Sequence, residues 1–224
     1  ARAEEAFRKD AGAFSGTVRI GSGPIPARDV DAAVTVFLND FDGQTYSQQV
    51  VDPVTGAITT VIAIAGSRAY GAELEGAFRP FEHLSIGFNA TAFNAKFRNI
   101  DSGVSSGVQN GFKVPRQPSF QMRISPSYTI PFDGGDATIF GAFTHIGSRY
   151  SDIQNQQLLP HYNTLDLGVG ATFGQLELQV TGNNLTNTLG LTEGNARIIG
   201  STSGSVIARS IFGRSFQATA VYRF

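Results

Sequence analysis

Residues 213–224 read GRSFQATAVYRF, and they show the clearest residue pattern of the chain. Apolar side chains occupy every second position from Phe216 to Phe224, and the positions between them are polar except for Val221. A two-residue period is that of a β-strand with one apolar side, because successive side chains of a strand point to opposite faces. The stretch therefore predicts a strand with one apolar face and a final aromatic residue.

The same alternation recurs upstream. It appears in residues 30–41, 69–79, 84–98, 118–130, 137–149, 162–173 and 176–184. Segment 137–149 is partly apolar on both faces, so its sequence leaves its register open. The segments have about ten or more residues, longer than the usual ~5–6 of soluble sheets. Because about 9–11 tilted residues cross a bilayer core, this length favours strands that span a membrane.

The connections between these segments alternate in length along the chain. Short ones are expected at residues 80–83, 131–136 and 174–175, and long ones at 42–63, 99–117, 150–161 and 187–212. A transmembrane barrel has this asymmetry, with tight turns on one side of the membrane and long loops on the other. A soluble β-sandwich, the alternative fold, does not require connections that alternate between short and long. The sequence thus predicts an all-β, antiparallel transmembrane β-barrel.

The charged side chains indicate which face meets lipid. Slipping every strand by one residue would exchange the two faces. Arg123 would then enter the lipid, at a cost of about 2–4 kcal/mol near the midplane. Carboxylates on the same face would add smaller penalties: Glu73, Glu75, Asp166 and Glu177. We therefore expect the apolar faces to point outward, with Glu73, Glu75 and Arg123 as lumen-facing charged candidates.

Composition excludes several functional classes. Charged residues make up 16% of the 224 residues, and the net charge of −1 gives no basic footprint for nucleic acid. With no cysteine, disulfides and thiolate metal sites are excluded. The three histidines, His83, His145 and His161, lack metal-ligand spacing, and no nucleophile–base–acid set stands out. We expect neither an enzyme nor a bound cofactor.

Four local sequences carry a family resemblance. They are YGAELEG at residues 70–76, VPRQP at 114–118, VTGNNLTN at 180–187, and the final stretch 213–224. In this order and spacing they resemble the carboxy-terminal part of the barrel of TonB-dependent outer-membrane receptors. The resemblance implies a barrel of about 22 strands with a plugged lumen. Residues 30–224 would supply about eight of its strands, and residues 1–29 are an unassigned lead-in with a possible extra strand at 12–20.

The resemblance also implies a function. The intact receptor would import a scarce nutrient across the bacterial cell outer membrane with energy from TonB. Its ligand would be a siderophore, cobalamin or an oligosaccharide. We expect this chain to be a fragment that lacks the plug and the amino-terminal region that engages TonB. The alternative is a complete eight-stranded barrel with a structural or adhesion role, which the small residues of the lumen faces disfavour.

The final strand carries a second set of candidate residues. Phe216, Tyr222 and Phe224 resemble the signal read by the barrel-assembly machinery, and an ordinary lipid-facing strand would show the same pattern. Aromatic residues near the short turns would form a girdle at the membrane interface: Phe78, Phe81, Phe132 and Phe173. The expected partners are therefore outer-membrane lipid, the assembly machinery, TonB and a small-molecule ligand of unknown identity.

Overall fold

The computed structural model describes residues 14–21, 29–51, 54–100, 107–196 and 206–224. Its strands are β1 (Phe14–Gly21), β2 (Asp29–Val51), β3 (Ile58–Phe81), β4 (Leu84–Arg98), β5 (Phe120–Phe132), β6 (Gly135–Ile146), β7 (Arg149–Tyr150), β8 (Leu158–Leu159), β9 (Tyr162–Phe173), β10 (Leu176–Asn183), β11 (Leu191–Ala196), β12 (Val206–Ser210) and β13 (Ser215–Tyr222). These residues contain no helix, so none that could span a membrane.

One antiparallel sheet of nine strands dominates the structure, in the order β1-β2-β3-β4-β5-β6-β9-β10-β13. Eight of its strands, β2 to β13 in that order, correspond to the eight predicted segments, which confirms the all-β antiparallel fold. The ninth, β1, lies where the sequence left a strand possible, and it pairs with β2 over its whole length. The rest of the predicted lead-in, residues 1–13 and 22–28, lies outside the described residues.

The register collects the apolar positions of neighbouring strands on one side of the sheet. Val169 pairs with Val180, and Val180 pairs with Ala218, so a continuous apolar row crosses β9, β10 and β13. We call this side the apolar face and the opposite side the polar face. Large side chains of the apolar face stay exposed; Val169 and Val180 keep 52% and 50% of their surface. A face so rich in uncovered apolar surface suits lipid rather than water.

The structure also settles the register of β6, which the sequence left open. Ile139 and Phe143 lie on the apolar face, because they pair with Val169 and Leu165 of β9. Phe140 lies on the polar face, where it pairs with Gly168. A Cβ atom at Gly168 would lie 2.4 Å from the Phe140 ring. The glycine therefore makes room for the Phe140 ring on the polar face, which also carries Phe37 and Phe93 beside Glu73.

Three tight turns lie at one end of the strands. Each has a residue in the left-handed region of φ: His83 (69°), Gly134 (83°) and Gly174 (57°). Asp133 and Gly134 form the Asp-Gly pair that a two-residue hairpin turn favours. The turns lie within the stretches predicted to be short connections.

The prediction of a long loop at residues 42–63 is wrong. Strands β2 and β3 stay paired up to Val51 and Ile58, with one register shift between Phe41 and Gln44. The Asp42-Gly43 pair looks like a turn in sequence, yet it forms a bulge, with Gly43 at φ 66°. A bulge absorbs extra residues and lets the ladder continue beyond it. Parts of two other predicted loops pair as small hairpins, β7–β8 and β11–β12.

A small hydrophobic cluster orders the end of the sheet opposite the tight turns, which we call the long-loop end. Its buried members come from β3, β4 and two connections: Ala63, Ala65, Phe97, Val108 and Ile153. The Tyr46 ring packs edge-on against Phe97, with centroids 4.7 Å apart. Asp152, almost fully buried, accepts hydrogen bonds from the backbone N–H groups of Gln156 and Gln157. The connections described here are thus packed against the strands.

Candidate functional site

The three charged residues predicted to face the lumen share the polar face. Glu75 pairs with Asn89 and Asn89 pairs with Arg123, so they form one row across β3, β4 and β5. Glu75 and Arg123 line the same open cavity of about 460 Å³, together with Asp31. Glu73, two residues along β3, lines a second cavity of about 200 Å³. The register thus brings together Glu75 and Arg123, which are 48 residues apart in sequence.

Arg123 makes its contacts toward β6 and β9. Its Nη1 donates to Thr144 Oγ1 at 3.1 Å and lies 4.0 Å from Asp166 Oδ2, while its Nε donates to Ser125 Oγ at 3.3 Å. The Arg123 side chain is about half exposed, so the Asp166 contact contributes at most about 1 kcal/mol. Sequence reasoning placed Asp166 on the same face but could not pair the two.

The carboxylates of Glu73 and Glu75 are exposed and make no ion pair with any residue that the structure describes. Asp31 of β2 lies beside them at the wall of the larger cavity. The polar face therefore presents solvated acceptors at β2 and β3 and a cation at β5. Such a surface can bind polar and charged groups of whatever occupies the space in front of it.

A charged cluster lies on β2, β3 and β4 at the long-loop end. Arg68 binds Asp40 in bidentate fashion, Nε to Oδ1 at 2.7 Å and Nη2 to Oδ2 at 2.9 Å. Arg98 bridges two carboxylates, with 3.4 Å to Asp40 Oδ1 and 3.3 Å to Asp42 Oδ1. The Arg68 hydrogen bond lowers the pKa of the Asp40 carboxyl below its ordinary value, and in turn it raises the pKa of Arg68.

Asn184 has a structural role that the sequence did not predict, since it appeared there only as part of the VTGNNLTN motif. Its side chain is buried, and its φ of 47° is left-handed. Its Nδ2 donates to the carbonyls of Thr188 (2.9 Å) and Phe212 (3.0 Å), and its Oδ1 accepts the Thr188 N–H at 2.9 Å. Its own N–H donates to Asp166 Oδ1 at 2.8 Å. This amide ties the end of β10 to the segment that enters β13, an arrangement signalled only by the asparagine-rich sequence.

The candidate assembly residues lie on or just beyond β13. Phe216 and Tyr222 are on the apolar face, opposite Gly182 and Leu176, and both are largely exposed. The Tyr222 hydroxyl donates to Gln175 Oε1 at 2.9 Å, and Phe224 projects beyond the strand, fully exposed. In the described part of the chain, β13 pairs with β10 alone.

The histidines do not form a metal centre within the described residues, which hold no group of three or more His, Cys, Asp and Glu side chains placed to bind an ion. His145 and His161 have ring centroids 6.0 Å apart, and His145 Nδ1 lies 2.7 Å from Asn163 Oδ1. His83 lies apart from them in the β3–β4 turn. The sequence prediction named no metal ligand among them.

Comparison with known proteins identifies the family. Residues 22–185 match the family model described as TonB dependent receptor-like, beta-barrel. No curated protein sequence matches the chain. Similar solved structures include the ferric yersiniabactin uptake receptor FyuA from Yersinia pestis, with TM-score 0.67 and 21% identity over 95% of this chain and 30% of that one.

Two further receptors have the same fold. The ferric-catecholate import receptor Fiu from K12 E. coli gives TM-score 0.61 at 17% identity, over 95% of this chain and 27% of that one. The ferric preacinetobactin receptor BauA from Acinetobacter baumannii gives TM-score 0.59 at 16% identity, over 94% and 28%. This chain therefore spans less than a third of the length of each of these receptors.

Proposed function

Because the chain belongs to the TonB-dependent receptor-like β-barrel family, we propose that it forms part of the wall of an outer-membrane receptor that imports a scarce nutrient. The observation that carries this proposal is the nine-stranded sheet with one apolar and one polar face. Its apolar face suits lipid, and its polar face suits a water-filled or plugged lumen. Energy for import would come through TonB, which would contact parts of the receptor other than these strands.

The sheet is proposed to be completed by further strands. In the part of the chain that the structure describes, β1 and β13 each pair on one side only. An unpaired backbone edge in lipid leaves N–H and C=O groups unsatisfied, at several kcal/mol each, so membrane sheets close into barrels. Barrels of about 22 strands that hold a plug are typical of outer-membrane transporters.

The alternative of a self-closing eight-stranded barrel has less support. In that barrel β2 would close on β13, but β1 already occupies the edge of β2 that this pairing needs. If β1 is included, the described residues supply nine strands, and single-chain bacterial barrels have an even number of antiparallel strands. The open sheet therefore favours membership in a larger barrel.

The proposed ligand class is a metal–siderophore chelate. FyuA, BauA and Fiu are each described as receptors for a ferric ligand, and this is the support for the choice. Cobalamin and oligosaccharides are the competing classes. The exposed Glu73 and Glu75 and the half-exposed Arg123 are proposed to contact the domain or ligand that occupies the lumen.

Uptake assays with the full-length gene product test the proposal. It would be expressed in a Gram-negative host lacking its own receptors, and offered a panel of ⁵⁵Fe-siderophores, labelled cobalamin and labelled maltodextrin. We expect accumulation of at least one ferric siderophore, abolished when the host lacks TonB. Uptake that persists without TonB contradicts energised transport. Accumulation of cobalamin or maltodextrin alone contradicts the siderophore class.

A further inference from the structure

Basic side chains form a row on the apolar face at its long-loop end. Arg68 of β3 pairs with Lys96 of β4, and Lys96 forms a bridge with Lys113 of the β4–β5 connection. Paired residues of antiparallel strands point to the same side, so the three side chains are neighbours. Arg98 lies two residues beyond Lys96 on the same strand face. We call Arg68, Lys96, Arg98 and Lys113 the basic patch.

Lys96 and Lys113 are held unusually close for two like charges. The flanking hydrogen bonds run from Phe97 N to Phe112 O (2.8 Å) and from Val114 N to Ala95 O (3.0 Å). This pattern makes Lys96–Lys113 a non-hydrogen-bonded pair, the kind whose side chains approach most closely. Like charges directly opposite each other destabilise a sheet, so an anion between them would relieve the repulsion.

The carboxylates nearby do not supply that anion. Asp40 accepts from Arg68 in bidentate fashion and also lies 3.4 Å from Arg98, which in turn contacts Asp42. Four cations and two carboxylates leave two net positive charges. Among the described residues, Lys96 makes no ion pair, and Lys113 Nζ donates only to the uncharged Ser119 hydroxyl at 2.9 Å. The two ammonium groups thus remain without a counter-charge there.

The distance of the basic patch from the tight turns places it at the level of a membrane surface. From His83 in the tight turn to Lys96 is 13 residues along β4, which at ~3.3 Å per residue and ~45° tilt is about 30 Å. The apolar band of a barrel is about 25 Å tall. One step below the patch, Asn94 Nδ2 donates to the Tyr70 hydroxyl at 3.0 Å, a polar–aromatic pair of the kind found at membrane interfaces. The patch therefore lies just above the apolar band.

We propose that the basic patch binds the phosphate groups of an anionic lipid in the leaflet at the long-loop end, with Lys96 and Lys113 sharing one phosphate. The patch lies on the apolar face, directly above the lipid-facing rows and on the side opposite the polar-face cavities, so a lipid reaches it more readily than a lumen ligand. Ammonium–phosphate contacts are charge-assisted hydrogen bonds. The inference rests on the proposed placement of the sheet in a membrane.

The test uses the full-length gene product in phosphatidylcholine nanodiscs doped with bisphosphorylated lipid A or its dephosphorylated form. Bound lipid is counted by native mass spectrometry. We expect preferential retention of the phosphorylated form, and a loss of roughly tenfold in K96Q/K113Q, because two charge-assisted contacts disappear. The matched control is R116Q/R209Q, which removes the same charge from two arginines that pair with Glu193 at the β11–β12 hairpin.

The proposal is overturned if the wild-type protein retains the two lipid forms equally. It is also overturned if K96Q/K113Q retains as much phosphorylated lipid as the wild type. Binding of free inorganic phosphate with the same affinity and the same sensitivity to K96Q/K113Q also overturns it, in favour of a soluble anion. Membrane insertion is measured separately by protease protection. A protein that fails to insert contradicts the membrane barrel itself, whereas one that inserts and retains no phosphorylated lipid contradicts the patch alone.

Discussion

Phe140 of β6 and Gly168 of β9 are cross-strand partners on the polar face, and the aromatic ring covers the glycine so closely that a Cβ there would lie 2.4 Å from it. The contact is one position of a ladder of twelve paired residues between the two strands. The ring fills the space that a side chain at position 168 would need.

Gly168→Val should therefore destabilise the barrel. A side chain at position 168 must displace the Phe140 ring, and overpacking of this kind costs about 1–3 kcal/mol. Heat-modifiable electrophoretic mobility, measured over a series of urea concentrations, should show that the variant unfolds at a lower urea concentration than the wild type. Phe140→Ala in the same chain should restore part of the loss. The control is Gly170→Val, because the nearest atom to a Cβ at Gly170 is Leu178 O at 3.6 Å. Equal loss in both variants would contradict the packing argument.

The same charge should destabilise the protein far more on the apolar face of β10 than on its polar face. Val180 lies on the apolar face, and at 5 residues from Gln175 it sits about 12 Å above the tight turn, near the middle of the apolar band. Val180→Arg should cost about 2–4 kcal/mol of folding free energy in a bilayer. Thr181→Arg, on the polar face, should cost much less. Urea titration of vesicle-inserted protein measures both, and a larger loss from Thr181→Arg would reverse our assignment of the faces.

Asn184→Ala should loosen the junction between β10 and β13. The substitution leaves two backbone carbonyls and one N–H without the amide that satisfies them, at about 1–3 kcal/mol for an unsatisfied buried group. Limited proteolysis should cut residues 187–212 faster than in the wild type. Asn183→Ala, at the exposed neighbouring position, is the control. A cleavage rate unchanged by Asn184→Ala would show that the amide does not hold this junction.

The Asp40–Arg68 pair at the long-loop end should contribute to the stability of the folded protein in a pH-dependent way. Because the pKa of Asp40 is lowered in the folded protein, the ionised form is favoured by folding, and the contribution is fully present at neutral pH. It should be lost only as the pH falls below about 4 and through the lowered pKa. The difference in melting temperature between wild type and Asp40→Asn should therefore shrink in acid. A difference that stays constant down to pH 2 would contradict the linkage.

Removal of the Tyr222 and Phe224 side chains should slow barrel assembly. Tyr222→Ala combined with Phe224→Ala should lower the heat-modifiable fraction in outer membranes severalfold, since both residues are proposed to form the assembly signal. Thr219→Ala, on the polar face of the same strand, serves as the control. If both variants assemble at the wild-type rate, Tyr222 and Phe224 are ordinary lipid-facing aromatics.

Periodicity alone determined much of this fold. The two-residue alternation in residues 84–98, 162–173 and 213–224 predicted strands with one apolar face, because the direction of a side chain in a strand depends only on its position. The cost of Arg123 in lipid then indicated which face was polar. The structure places Glu73, Glu75 and Arg123 together on that face, although their contact with a lumen ligand is still a prediction.

Tertiary structure decided what alternation leaves ambiguous. Segment 137–149 is partly apolar on both faces, and only pairing with β9 puts Phe140 over Gly168. The Asp42-Gly43 pair has the sequence of a turn, but the ladder between β2 and β3 continues past it as a bulge. The nearness of Lys96 to Lys113 and of Arg123 to Asp166 likewise depends on which strands meet and in which register. The physical reason is that alternation is a local property of one strand, whereas bulges, pairing and charge neighbours arise from contacts between strands.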